Sequence, residues 1–462
     1  MPNHVSKVEF ELRRRGALSA IDLSVALGVS QPTLSRVLGK IDPHRLVRLG
    51  KARAVRYALS REIGTIGESW PLYEIDEAGQ AHHVGRLCAF EARQCGFLQD
   101  TPWESLRGNL FPSGLYPDLP WFLDDLRPQG FLGRTFARQY GQELGLPQDP
   151  RVWRSDDVIL ALVRYGHDLQ GSFVLGNTML DTVQERRISG VRVIPEERCA
   201  ETYRERAQAT LAGEWPGSSA AGEQPKFTAT VESPEGAVRH VIVKFNGRSG
   251  RPEDQRWADL LAAEHCASIL LREHGIAAAQ TRLIDSGGRR FLESIRFDRV
   301  GLHGRRGLVS LFALDAAFWG RMDTPWTLAS DRLVRGGWLT GQDAEQMSLL
   351  WWFGVMIGNT DMHYGNISLF LGKGRPLALA PCYDMLPMFY RPGLEGELTD
   401  RPVTPPPPPP EFLRVWSQAS ELAELFWIRV SGDSLFSDSF KMIARSNATI
   451  IASHRHQFGN RQ

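Results

Sequence analysis

Paired cysteines are missing from this sequence. Its five (Cys88, Cys95, Cys199, Cys266 and Cys382) are scattered and odd in number, and no two form a C-x-x-C pair. That pattern argues against a disulfide framework or a cysteine metal cage and for a reduced, cytosolic compartment. Long apolar runs are missing too: the longest, Leu349 to Ile357, is about half of what a membrane span needs. No apolar stretch follows Met1, so no secretory signal is expected. Net charge is nearly absent, +1 over 462 residues. With 42% apolar and 23% charged residues, wholesale disorder and collagen-like repeats are excluded. The length points to two to four domains.

The near-zero total conceals an asymmetry. Residues 1–62 hold 12 Lys and Arg against 5 Asp and Glu, a local +7, whereas the rest hold 42 against 48, a local −6. A basic head on an acidic body points to a polyanion partner for the head. The head reads as helices over Val5 to Arg15, Leu18 to Leu27 and Gln31 to Leu38, with Ser19 and Ser30 as caps and Gly28-Val29 as the break. Pro32 is tolerated in the first turn of the third helix. Strand-like runs at Leu46 to Leu49 and Ala54 to Leu59 come next, joined by Gly50 to Arg53. This is the pattern of a winged helix-turn-helix. In such a domain the second helix of the pair enters the major groove, so Gln31, Thr33, Ser35 and Arg36 would face duplex DNA, and Lys51 and Arg53 would meet phosphates. A small helical protein-interaction module with a solvated basic face is the alternative.

Beyond the head, Trp70 to Ile75 and His83 to Leu87 read as strands of a small β-rich unit spanning 63–150. The aromatic run Thr101 to Arg134 reads as packed core under irregular loops rather than as a ligand box. From Ser155 helix and strand patterns alternate, dividing at about residue 300 into 151–300 and 301–462. Pro405 to Pro410 favours a stiff, extended spacer, with a proline-recognition partner as the other use.

Chemistry concentrates in Met356 to Phe370. An apolar helix ends at Gly358, a polar loop succeeds it, and Asp361 and Asn366 stand five apart across it. Cys382-Tyr383-Asp384 then places a second aspartate beyond a strand at Leu377 to Ala380. An aspartate to accept a hydroxyl proton, with an amide oxygen and a second carboxylate to hold Mg²⁺ against nucleotide phosphates, is the set phosphoryl transfer needs. Three loop residues capping helices would give the same spacing. Upstream, Arg239 to Phe245 is an alternating strand with Lys244 near its end, and the helix Trp257 to His274 carries Glu264, which could pair with that lysine. Gly217 to Phe227 is a small-residue loop in which backbone N–H groups and Lys226 could meet phosphate oxygens.

These motifs together resemble the HipA family of bacterial serine/threonine kinases, the toxin kinases of HipA/HipB modules. The resemblance rests on Ser219 to Lys226, Val243-Lys244, Arg296 to Arg299, Asp361 to Asn366 and Tyr383-Asp384. A basic helix-turn-helix ahead of them resembles the single-chain, YjjJ-like subgroup. The resemblance implies an α+β fold, a winged helix and a small β-rich unit succeeded by a bilobal kinase-like body. It makes Asp361 the catalytic base and Asn366 and Asp384 the Mg²⁺ ligands. ATP would be held by Ala221, Gly222, Glu223, Gln224, Pro225, Lys226 and Lys244, by Ile295, Arg296 and Phe297 along the adenine, and by His363, Asn366, Tyr383 and Asp384. Ile295 stands where the best-known members carry an acidic residue. Ser219, or Ser218 one step away, matches the serine whose autophosphorylation switches such kinases off. Implied partners are DNA, a protein substrate such as an aminoacyl-tRNA synthetase, and a second copy of the chain as a homodimer. Two other readings remain open: a transcriptional regulator whose kinase-like body only senses nucleotide or binds a partner, and a small-molecule kinase.

Overall fold

In the computed structural model, residues 2–106, 110–212, 224–248, 250–322 and 324–459 are described. The head forms α1 (Pro2–Arg15), α2 (Ala20–Leu27), α3 (Gln31–Leu38) and a hairpin of β1 (Leu46–Leu49) and β2 (Arg56–Leu59). Ser19 caps α2 as expected: its hydroxyl accepts from the Asp22 N–H at 3.1 Å, and the Asp22 carboxylate accepts from the Ser19 N–H at 3.2 Å, a reciprocal box that satisfies two orphan donors. Gly28 ends the helix at φ 66°, a left-handed conformation costly for a residue with a Cβ. Ser30 departs from the expectation. It occupies the cap position of α3, but its hydroxyl pairs with the Thr33 hydroxyl at 3.1 Å and makes no cap bond to the backbone; Pro32, in the first turn, has no N–H to offer. The second strand also starts later than Ala54, because Ala52–Ala54 close a 3₁₀ turn.

The head is tied to the neighbouring β-rich unit. Arg61 forks onto Asp156 at 2.7 and 2.8 Å and donates to the Phe90 carbonyl at 3.0 Å, and Leu49 and Ala58 pack with Cys88 and Phe90. Next come β3 (Ser69–Ile75), β4 (Ala81–Ala89), β5 (Cys95–Gln99), β6 (Leu115–Tyr116), α4 (Trp121–Asp124), α5 (Gly130–Leu144), α6 (Ser155–Tyr165), β7 (Phe173–Leu175) and α7 (Asn177–Ser189). The sheet order is β6-β5-β4-β3-β7. Because β7 closes this sheet, the unit begun at residue 63 extends past the expected boundary at 150. The aromatic run is core, as read from the sequence: Trp103, Tyr116, Trp121 and Phe122 are all buried.

A second five-stranded sheet, ordered β11-β12-β10-β9-β8, uses β8 (Ile194–Pro195), β9 (Lys226–Glu232), β10 (Val238–Phe245), β11 (Thr281–Ser286) and β12 (Arg289–Ile295), with α8 (Cys199–Ala212) and α9 (Pro252–Glu273). The chain continues through the short hairpin β13 (Arg299–Val300) and β14 (Gly304–Arg305), then β15 (Leu308–Ser310), α10 (Leu311–Phe318), α11 (Trp326–Arg335) and α12 (Gly341–Ile357). β16 (Ser368–Phe370) and β17 (Ala378–Leu379) join β15 in a small sheet, and α13 (Leu413–Gly432) and α14 (Asp438–Gly459) complete a largely helical end. The architecture is mixed α and β, as expected. All five cysteines are buried and free, and no described helix is long and apolar enough to cross a membrane.

One buried carboxylate stitches α4 to the start of α10. Asp125 accepts from the Ser310 N–H at 2.6 Å and the Ser310 hydroxyl at 2.5 Å. Burial nonetheless pushes its carboxyl up from 3.8 to about 6. The folded form therefore holds this proton at pH values where the unfolded chain has lost it, so the stability it confers is present below about pH 4 and is lost as pH rises through about 6. Asp125→Asn keeps an oxygen for the Ser310 N–H and cannot ionise. Relative to this variant, the native protein should lose up to about 3 kcal/mol between those pH values, measured by urea denaturation at a series of pH.

Candidate active site

Strand alternation builds the first half of the site. Along β10, Val241, Val243 and Phe245 point into an apolar core with Phe227, Ala229 and Val231 of β9. Ile242 and Lys244 must then point to the opposite face, where they line a cavity of about 820 Å³. Lys226 sits directly across the ladder from Lys244. Lys244 is 6% exposed, and its ammonium lies 2.7 Å from both Glu264 oxygens and 2.5 Å from Asp384 Oδ1. Glu264 comes from α9, buried on the side facing β10. The pairing expected between Lys244 and Glu264 is present, and Asp384 joins it.

The electrostatics arise from this crowding. Burial works against the Lys244 charge, but Asp384 and Glu264 outweigh it and raise the lysine above its ordinary range. Burial pushes the Glu264 carboxyl up despite Lys244. For Asp384 burial is the largest single influence and acts upward, but Lys244, Lys226 and His363 together hold the carboxyl below the usual range. The Asp384 side chain is 30% exposed and is part of the lining of the cavity.

The second half is a pair of loops. The helix α12 ends at Gly358 (φ 77°), whose N–H returns to Gly354 and Val355. The next residue, Asn359, does two jobs: its Oδ1 accepts from the Asp361 N–H at 3.0 Å, and its Nδ2 donates to the Asp384 carbonyl at 3.2 Å. One buried amide thus fixes both aspartates. Asn366 Nδ2 donates to the Asp361 carbonyl at 2.7 Å, which leaves the amide oxygen turned the other way. The Asp361 side chain is 46% exposed, 4.0 Å from the His363 ring. Asp384 itself adopts φ 53°, a region that aspartate tolerates better than most residues. The Tyr383 hydroxyl donates to the Gly365 carbonyl and pairs with Ser368, both at 2.8 Å, binding this loop to the Asp361 loop.

Ile295, Arg296, Phe297, His363, Tyr383 and Asp384 line the cavity together with Lys244, and the Phe297 ring lies against Tyr383 at 5.7 Å. The Arg296 guanidinium is engaged by Asp298 at 2.9 and 3.0 Å. Gln224 donates to the Phe245 carbonyl, and Pro225 accepts from the Phe245 N–H at 3.1 Å, so the loop preceding β9 is anchored at the end of the Lys244 strand. Ser218, Ser219, Ala221, Gly222 and Glu223 lie outside the described residues. Sequence reasoning missed Asn359; its signal is a polar side chain immediately after a left-handed glycine cap on an apolar helix. Asp298 stands in the motif Arg296 to Arg299, where sequence reasoning assigns it no role; it pairs with both Arg296 and Arg299.

Comparison with known proteins gives the family. A family model described as the YjjJ-like toxin middle domain matches residues 66–184, and one described as the HipA-like C-terminal domain matches residues 218–413. Toxin YjjJ of Escherichia coli (strain K12) is 38% identical over 443 residues, covering 94% of this chain and 95% of that protein. The chain belongs to the HipA-like toxin family. A solved complex of the Shewanella oneidensis MR-1 toxin–antitoxin system, HipA with HipB and its operator DNA, aligns with a TM-score of 0.55 at 16% identity, over 84% of this chain and 97% of that one. At that identity the likeness is one of fold. The middle-domain match runs past β7, in agreement with the sheet.

The shared lysine sets an order of damage for variants of this HipA-like site. Lys244→Met leaves Glu264 and Asp384 facing each other without the ammonium that bonds both and should cost about 3–5 kcal/mol, as loss of one partner from a buried ion pair does. Glu264→Gln leaves Lys244 paired with Asp384 and should cost clearly less. Chemical denaturation of the two variants tests the ranking.

Proposed function

We propose that this HipA-like toxin is a cytosolic, ATP- and Mg²⁺-dependent protein serine/threonine kinase that restrains growth. The observation that carries the reading is the Lys244–Glu264–Asp384 cluster, joined through Asn359 to the loop that bears Asp361 and Asn366. Lys244 and Lys226 supply positive charge for nucleotide phosphates, with Gln224 and Pro225 beside them and Ala221, Gly222 and Glu223 contributing as the family resemblance implies. Ile295 to Phe297 and Tyr383 would flank the base. Asp361, the accessible carboxylate, would orient the acceptor hydroxyl and take its proton. The donor chemistry fits a hard cation: Asp384 offers a carboxylate and Asn366 an amide oxygen, the few protein oxygens Mg²⁺ takes when phosphates and water complete its shell. When bound, that cation would neutralise charge on the transferred group. Ser219 (or Ser218) is the proposed site of self-phosphorylation, where a phosphate of about −1.5 to −2 charge would repel nucleotide.

Incubation of the purified protein with labelled ATP and Mg²⁺, then mapping of the phosphorylated residue, tests this. The native protein should acquire phosphate on Ser219 or Ser218. Asp361→Asn should bind ATP yet transfer nothing, and Asp384→Asn should lose Mg²⁺-dependent nucleotide binding as well. Transfer that persists in both variants refutes the assignment. Nucleotide binding with no transfer by the native protein would favour a regulator that only senses nucleotide.

The head is proposed to be a winged helix-turn-helix that binds duplex DNA for autoregulation. Gln31, Ser35 and Arg36 are exposed along α3, Thr33 is half-buried, and Lys51 and Arg53 are exposed beyond β1. The face that packs on Cys88 and Phe90 belongs to the hairpin, so α3 is not covered by that contact. The Shewanella HipA is in complex with HipB and its operator DNA; here the DNA-binding part would be on the toxin chain itself. Protein substrates, an aminoacyl-tRNA synthetase among them, a separate antitoxin and a homodimer are the partners to test. DNA affinity of the full-length protein should fall steeply with salt, and Arg36→Ala should weaken specific binding by about 1–3 kcal/mol. Fluorescence anisotropy across a salt series measures both, and salt-insensitive binding would rule the proposal out.

A further inference from the structure

A second cavity, of about 440 Å³, lies between α7 and the second sheet, behind the segment Ile295 to Phe297. Arg186, Arg187, Arg192 and Arg206 line its outer part, and Arg296, Arg299 and Arg305 line its floor. Among the described residues Asp168 is the one acidic side chain lining it. The floor has a second carboxylate close by: Asp298 holds Arg296 at 2.9 Å and Arg299 at 2.7 Å, while Asp168 takes the other arm of Arg299 at 3.0 Å. Two carboxylates are thereby committed to two guanidinium groups.

Arg305 is the third. Its Nη2 donates to the His167 carbonyl at 2.6 Å, but its Nη1 has no partner although the residue is 8% exposed. Burial and the neighbouring Arg299 push this guanidinium down to about 9. The three imidazoles of the cavity, His167, His240 and His303, are lowered as well, burial leading in each and a nearby arginine adding to it. A buried cation with an unanswered N–H is costly unless something anionic meets it. Neither Lys244 nor Asp384 lines this cavity, and the proposed phosphoryl transfer leaves it unused.

We propose that this cavity binds a small anion carrying two or more phosphate groups. Guanidinium groups match phosphate oxygens in a planar, bidentate fashion, and seven of them line the cavity against one aspartate. Cations stand at both floor and mouth, so an anion with phosphates at two positions engages Arg305 and the Arg186/Arg192 edge together. The volume suits a small molecule. The site shares Arg296 and Asp168 with the larger cavity as a common wall, and the Arg296 N–H donates to the His240 carbonyl at 2.8 Å. An anion seated here would therefore press on the segment proposed to lie along the nucleotide base.

Isothermal titration of the full-length protein with inorganic tripolyphosphate, pyrophosphate and orthophosphate at constant ionic strength tests the site. Tripolyphosphate should bind, and about tenfold more tightly than orthophosphate. The double variant Arg186→Glu, Arg192→Glu changes only exposed side chains and should weaken tripolyphosphate binding at least about tenfold. Arg305→Met should do the same, and if it fails to fold the exposed pair decides. Lys226→Ala removes a charge proposed to meet nucleotide phosphates in the larger cavity, and should leave the binding that depends on Arg186 and Arg192 in place. No binding, or binding that survives the Arg186→Glu, Arg192→Glu change, overturns the proposal. Loss in Lys226→Ala alone would assign the anion to the larger cavity and overturn it equally.

Discussion

The ammonium of Lys244 is the constraint on which the rest of the site depends. It comes from a β-strand, its first carboxylate from a helix packed against that sheet, and its second from a loop 140 residues downstream. Burying that charge alone would be prohibitive. Burying it between Glu264 and Asp384 makes the strand, the helix and the loop interdependent, because none can shift without stranding a charge. Such pairs seldom add much net stability over an apolar core of the same volume. Their effect here is positional: α9 is held against the second sheet at the depth of Glu264, and Asp384 is held in the lining of the larger cavity.

Asn359 extends that constraint to the acceptor side. A single amide ties the main chain of Asp361 to that of Asp384, so the group proposed to meet a hydroxyl and the group proposed to meet a metal move as one unit. The left-handed backbone of Asp384 (φ 53°) is tolerable because three contacts fix it: the Asn359 amide, the Lys244 ammonium and the anchored Tyr383 before it. Strain of this kind persists where surrounding structure over-determines it. Its presence at a carboxylate that is both lysine-paired and cavity-lining is consistent with a part built for placement.

Much of this was legible from the residues because it obeys short-range rules. Alternation along Arg239 to Phe245 put Lys244 on a face, the helical pattern supplied Glu264, and Gly358 marked where the polar loop had to begin. The head's cap at Ser19 and break at Gly28 are likewise local chemistry. What escaped was tertiary. The reach of the first sheet to Phe173–Leu175 cannot be read from three apolar residues, since short buried strands carry no period of their own. That Asp384 would share Lys244 with Glu264 depends on a distant loop packing against a strand and a helix. Ser30 failed as a cap because its hydroxyl found the Thr33 side chain instead, a choice between near neighbours that composition does not decide.

The wall between the two cavities shows how buried charge can separate chemistry. Arg296, Arg299, Asp168 and Asp298 form a network in which each carboxylate is met by guanidinium, while Asp168 and Asp298 are held well below the usual carboxylate range by those arginines even though burial acts the other way. The network is therefore charged on both sides of neutrality, and rigid, since every arm is engaged. On one face it presents residues 295–297 to the larger cavity. On the other it leaves Arg305 over, a cation that the two carboxylates cannot also neutralise. A wall made from apolar side chains would have divided the space as well, but it would have been indifferent to what lay on either side. This one responds to charge: an anion on the Arg305 side would relieve the surplus and redistribute the hold of Asp168 and Asp298 on Arg296, and the adjoining Ile295 and Phe297 belong to the wall of the larger cavity.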